Sequence, residues 1–145
     1  MRKFRWFALV GVIGLLLAGC GGDDGDSGGE LSKDAEAACT GSELSEAPKL
    51  PAGWPDMGEV TFTQQSTQGP SEVVEGYFEG DIEAAHDDFK RELEAAGFTI
   101  LFDEVEENDS EVSWKGEGRS GQVAIRNECG DSDKMYVKVT NRPAS

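Results

Sequence analysis

The sequence predicts an α+β domain: one helix packed on an antiparallel sheet, with elements in the order ββαββββ after a short N-terminal helix. Three observations carry this reading. Residues 81–97 form the one long segment with apolar side chains at helical spacing. The segments on either side of it alternate apolar with polar residues, as half-buried strands do. Runs of strands around a single helix favour an antiparallel sandwich with that helix on one sheet face.

Each element has its own local cause. Residues 32–39 (SKDAEAAC) combine helix-compatible residues with Ser32 as an N-cap, but their apolar face is weak. Residues 47–55 hold three of the five prolines and read as an extended stretch, with Leu50 and Trp54 capping one end of the core. Residues 59–67 and 71–79, separated by Gln68-Gly69-Pro70, form a hairpin. Asp81 caps the main helix, and Ile82, Ala85, Phe89, Leu93 and Ala96 share its buried face. Gly97 suits the left-handed position that ends a helix, with Phe98 folding back toward Leu93.

Four strands are predicted after the helix. Residues 98–106 carry Ile100 and Phe102, and residues 107–110 make the turn into 111–117, where Val112 and Trp114 point inward. A glycine-rich turn over 116–121 leads to residues 122–129, with Val123 and Ile125 alternating. Met135, Val137 and Val139 alternate in residues 134–140.

The N-terminus has a separate character. Arg2, Lys3 and Arg5 precede an uncharged apolar run over residues 6–18, too short to cross a bilayer comfortably, and Leu17-Ala18-Gly19-Cys20 follows. Together these residues resemble the signal of bacterial lipoproteins. The resemblance implies cleavage before Cys20, a diacylglycerol thioether on its sulfur and an acylated amine. The mature chain would then be held on the extracytoplasmic side of the cell membrane, since two or three acyl chains anchor far more firmly than one. The chain divides accordingly into a signal peptide (1–19), a lipidated Cys20 with a Gly/Asp-rich linker (20–30) and a single small domain (31–145). The linker has no apolar residue between 21 and 30, so it behaves as a flexible tether with a mean reach of roughly 20 Å.

With Cys20 occupied by lipid, Cys39 and Cys129 are the two cysteines left in an exported chain, and they are expected to pair. Zinc is disfavoured, because His86 is the only histidine. Loss of the signal removes three positive charges and no acid, moving the formal charge from -16 to -19. Such acidity argues against nucleic acid and against docking on anionic headgroups. The charge is also uneven. Residues 21–111 carry four basic and twenty-five acidic side chains, whereas residues 112–145 carry six and four.

That asymmetry supplies the candidate binding face. If Trp114, Ile125 and Val137 face the helix, strand parity places Lys115, Arg126, Lys138 and Tyr136 on the opposite sheet face. An open cationic, partly aromatic surface of this kind suits an anionic envelope component or the acidic segment of an envelope protein. Pairing of the basic residues with Glu117 and Glu128 across strands is the competing use. Hard oxygen ligands crowd the turn from Asp103 to Glu111, where calcium is a weaker alternative; the spacing matches no EF-hand. His86 lies beside the helix's apolar stripe as a boundary residue, and no nucleophile-elbow, phosphate-loop or dinucleotide motif occurs. The chain thus reads as a non-enzymatic binding module, with a carboxylate-dependent hydrolase or a surface spacer as alternatives.

Overall fold

The structure, a computed structural model, describes residues 32–130 and 133–145. The predicted signal peptide, Cys20 and the linker lie outside the described residues. The elements are α1 (Lys33–Thr40), β1 (Thr61–Gln68), β2 (Ser71–Glu79), α2 (Ile82–Ala95), β3 (Thr99–Val105), β4 (Asp109–Gly116), β5 (Arg119–Arg126) and β6 (Lys134–Pro143).

The expected sandwich with one helix on one face is corrected. There is one six-stranded antiparallel sheet, in the spatial order β1-β2-β6-β5-β4-β3, and a helix packs on each of its faces. The order departs from that of the chain because α2 crosses the sheet from β2 to the far side, where it packs on β3 and β4. Three successive hairpins then walk back, and β6 arrives beside β2. β2 and β6 thereby become central strands covered on both faces.

α2 is capped at both ends as its residues dictate. The Asp81 side chain accepts from the Ala84 N–H at 3.0 Å. At the other end Gly97 has φ 90°, the Phe98 N–H donates to the Leu93 carbonyl at 2.9 Å and the Gly97 N–H to Glu94 at 3.0 Å. This is the paired closure that satisfies the last carbonyls of a helix. The face so positioned buries Ile82, Phe89 and Leu93 against Val112, Trp114, Val123, Ile125, Val137 and Val139. At the centre, Trp114 meets Trp54 edge-on at 5.0 Å and Phe98 at 5.4 Å, an arrangement aromatic quadrupoles favour. Trp114 lies close against the sheet because Gly121 is its cross-strand neighbour; a Cβ there would stand 2.8 Å from the Trp114 ring and collide with the Thr140 carbonyl.

α1 packs on the opposite face with alanine in place of larger apolar residues. Ala35, Ala38 and Cys39 lie against Tyr136, and the Cys39–Cys129 disulfide fastens the helix across 90 residues of chain, with the Cα atoms 5.5 Å apart. Ser32 caps the helix by accepting from the Ala35 N–H at 3.1 Å, and the Thr63 hydroxyl donates to the Ala38 carbonyl at 2.7 Å. An 8-residue helix is too short to stand alone in water, so the disulfide and these bonds hold it.

Several boundaries also move. The turn expected over 116–121 tightens to Glu117-Gly118, with φ 52° and 70°, which lets β5 begin at Arg119. β4 starts at Asp109, because the Glu106 N–H donates to the Asp109 carbonyl at 2.7 Å and closes the hairpin two residues early. β5 ends at Arg126, before the disulfide cysteine, and β6 continues past Thr140 to Pro143.

Candidate functional site

Antiparallel register turns the face opposite α2 into rows of side chains. Lys115, Ser120 and Arg142 are paired across β4, β5 and β6 in one row; Ser113, Gln122 and Thr140 form the next; Glu111, Ala124 and Lys138 the next; and Asp109, Arg126 and Tyr136 the last. Trp114, Ile125 and Val137 are fully buried toward α2, so Lys115, Arg126, Tyr136 and Lys138 do share the other face.

They do not make an open cationic surface. Tyr136 is buried beneath α1, and its hydroxyl donates to Glu75, which is itself buried. Burial and the Glu75 carboxylate together push the phenol well above its usual range. The Lys138 ammonium stands 3.6 Å from the same Glu75 carboxylate, its partner across β2 and β6. Arg126 lies among Asp109 at 3.4 Å, Glu111 at 3.7 Å and Glu128 at 4.0 Å. Arg126 and Lys138 are therefore committed to neighbouring acids. The physical reason is non-local: β2 brings Glu75 to Lys138, and the disulfide lays α1 over Tyr136.

Lys115 differs from the other three. It is exposed and makes no ion pair among the described residues, and Arg142 stands in the same row with the same freedom. Arg142, with Ser71, Ser113, Ser120, Gln122 and Thr140, lines a concavity of about 400 Å³ that has Leu101 on its rim, and Lys115 stands next to the lining residue Ser120 on the neighbouring strand. One cation thus lines a floor of hydroxyl and amide groups and a second adjoins it. The hydroxyls both donate and accept, and the Gln122 amide, whose nitrogen donates to Glu111 at 2.8 Å, keeps its oxygen as an acceptor, whereas the cations only donate, so the arrangement suits an anionic ligand that also carries hydroxyls. Arg142 lies beyond the strand end expected at Thr140, and the same two-residue alternation from Tyr136 and Lys138 reaches it because β6 runs on to Pro143.

A second constellation joins three elements. His86 of α2 is buried, its Nδ1 lies 2.8 Å from Ser110 Oγ of β4, and its Nε2 lies 3.3 Å from Asp103 of β3. Lys90 donates to the same Asp103 oxygen at 2.8 Å. The geometry fits a ring protonated at Nε2 that donates to the carboxylate and accepts the serine proton at Nδ1. Ser110 is only 2% exposed, so its oxygen has no approach for a substrate. The group instead ties α2 to the β3–β4 hairpin. His86 is consequently a core residue and not the boundary residue expected.

Two of the described carboxylates are shifted away from general-acid chemistry. Asp103 is held below the usual range, first by the hydrogen bond from Lys90, and Glu72 likewise by the Thr67 hydroxyl. A carboxylic acid that must donate a proton at neutral pH needs the opposite shift. Around the proposed calcium turn, Asp103 faces α2 while Asp109 turns to Arg126, and no three metal-ligating side chains converge among the described residues. None of these described helices is long and apolar enough to cross a membrane.

The fold and this surface describe a small two-helix sheet domain with a polar, cation-lined trough. No protein-family model, curated protein or solved structure matches the chain.

Proposed function

We propose that the chain is a lipid-anchored envelope protein of the extracytoplasmic membrane face, tethered through Cys20, and that its domain acts by binding and not by catalysis. The ligand is an anionic, hydroxyl-bearing envelope component held in the trough that Arg142 lines and Lys115 adjoins. The signal-like N-terminus supports the tether. The observation that carries the binding reading is the Lys115–Ser120–Arg142 row, in which both cations lack acidic partners among the described residues while the neighbouring Arg126 and Lys138 have them. On a chain of formal charge -16, two such cations beside one concavity concentrate the attraction for an anion.

The test is retention of a glycerol phosphate polymer, with neutral dextran as control, by wild type, Lys115→Glu/Arg142→Glu and Arg126→Gln. Loss of two charge-assisted contacts, each worth about 1.5–3 kcal/mol, is expected to weaken binding by at least about a hundredfold in the double variant. Arg126→Gln should bind as wild type does. Equal binding by all three proteins rejects the trough. Separately, Cys20→Ala should move the protein out of the membrane fraction, and unchanged fractionation rejects the lipid tether.

A further inference from the structure

We infer that the outer edge of β3 accepts an extended, basic segment of another protein as a seventh strand. This does not rest on the trough. The two edges of the sheet are treated differently. Along β1 the Leu44 N–H donates to the Phe62 carbonyl at 2.8 Å, and the Lys49 N–H to the Gln65 side chain at 3.1 Å, so the preceding chain already lies on that edge. β3 pairs only with β4, and no backbone hydrogen bond reaches its outer side among the described residues.

The exposed large apolar side chains of the described residues are Leu101, Phe102 and Val105, and all belong to this strand. They are 55%, 50% and 42% exposed. Phe102 pairs with Ser113 on the face opposite α2, and Val105 pairs with Ser110 on the α2 face. An added strand would therefore find apolar contact on both faces as well as a row of unpaired backbone groups, which is how strand addition combines affinity with selectivity.

Sheet edges left this open are usually guarded by lysine, proline or a bulge. β3 has the bulge at Leu101 but neither of those residues; its guards are acids, Glu104 within the strand and Glu106 and Glu107 just beyond it. These three make no ion pair among the described residues. A second copy brought to this edge would set acid against acid, on chains already at formal charge -16. A strand alternating apolar residues with lysine or arginine would meet the same acids as partners. The edge is thus closed to its own kind and open to a basic strand.

Hydrogen exchange on the full chain in detergent tests this, using a short synthetic peptide alternating valine and lysine and a second one alternating valine and glutamate. The lysine peptide is expected to slow exchange of the 99–105 amides by about tenfold or more, less so as salt is raised, and the glutamate peptide to leave them unchanged. Glu104→Lys/Glu106→Lys/Glu107→Lys should exchange this preference, while Lys115→Glu/Arg142→Glu should retain it. Wild-type protection in β2 and β6 establishes that each variant is folded. No slowing at 99–105 by the lysine peptide, equal slowing by both peptides, or slowing on concentrating the protein alone overturns the inference.

Discussion

Replacing Cys39 and Cys129 together by alanine separates the two things that hold α1 to the sheet. The bond closes a loop of 90 residues, and the chain-entropy relation converts a loop of that length into about 4.6 kcal/mol of stabilisation at 25 °C, acting through a less expanded unfolded chain. The native contacts that would remain are modest: Ala35 and Ala38 against Tyr136, the Thr63 hydroxyl on the Ala38 carbonyl, and Lys134 on the Cys39 carbonyl at 3.4 Å. Domains of this size have a total stability of roughly 5–15 kcal/mol, so the loss is a large share. Urea titration of wild type and the double variant, followed by tryptophan fluorescence, should give a loss of about 4–5 kcal/mol. The slope against urea should rise, because the unbridged unfolded chain exposes more surface. Exchange of the 33–40 amides should quicken before the core opens. A loss below about 1 kcal/mol, with those amides still protected, would refute the view that the disulfide holds the helix in place.

Two further outcomes follow from the core and from the α2–β3 contact. Trp114→Ala, which empties a fully buried site bounded by Trp54, Phe98 and Gly121, should cost about 3–5 kcal/mol by thermal or urea unfolding. A near-neutral result would mean that the aromatic cluster collapses freely. Asp103 is held below its ordinary pKa chiefly by Lys90, so it binds fewer protons folded than unfolded near that pKa; its contribution is present above the unfolded value and is lost as pH falls through the folded one. Asp103→Asn should therefore lower the urea midpoint at pH 7, and its difference from wild type should shrink once the pH lies well below about 4. A difference that is constant between these conditions would show that the carboxylate's charge does not contribute.

The periodicities of the chain are local, and the elements that depend on them were legible. Ile82, Phe89 and Leu93 mark α2 because a helix repeats every few residues, and Val123 with Ile125 marks β5 because a strand alternates. Asp81 and Gly97 announce the helix ends, since capping is decided within one turn of the chain. Even the parity of Lys115, Arg126, Tyr136 and Lys138 could be read, because it follows from which neighbours are apolar. α1 was legible from its Ser32 cap, but which of its faces packs was not, since alanine on a packed face looks the same as alanine in solvent.

What each side chain meets could not be read. By itself the sequence determined the identity and approximate extent of the long elements, the two-fold alternation of their faces and the uneven distribution of charge. Tertiary structure alone decided that β6 lies beside β2, that a second helix packs on the opposite face, and that Glu75 reaches Tyr136 and Lys138. It also brought His86, Asp103 and Ser110 together from three elements and left β3 as the uncovered edge. The division has one physical cause. Backbone preference and amphipathicity act between residues a few positions apart, whereas strand order, coverage and ion pairing are settled between residues up to about a hundred positions apart by which packing buries the most apolar surface, even where it leaves the Trp54 and Trp114 indole N–H groups without a partner among the described residues.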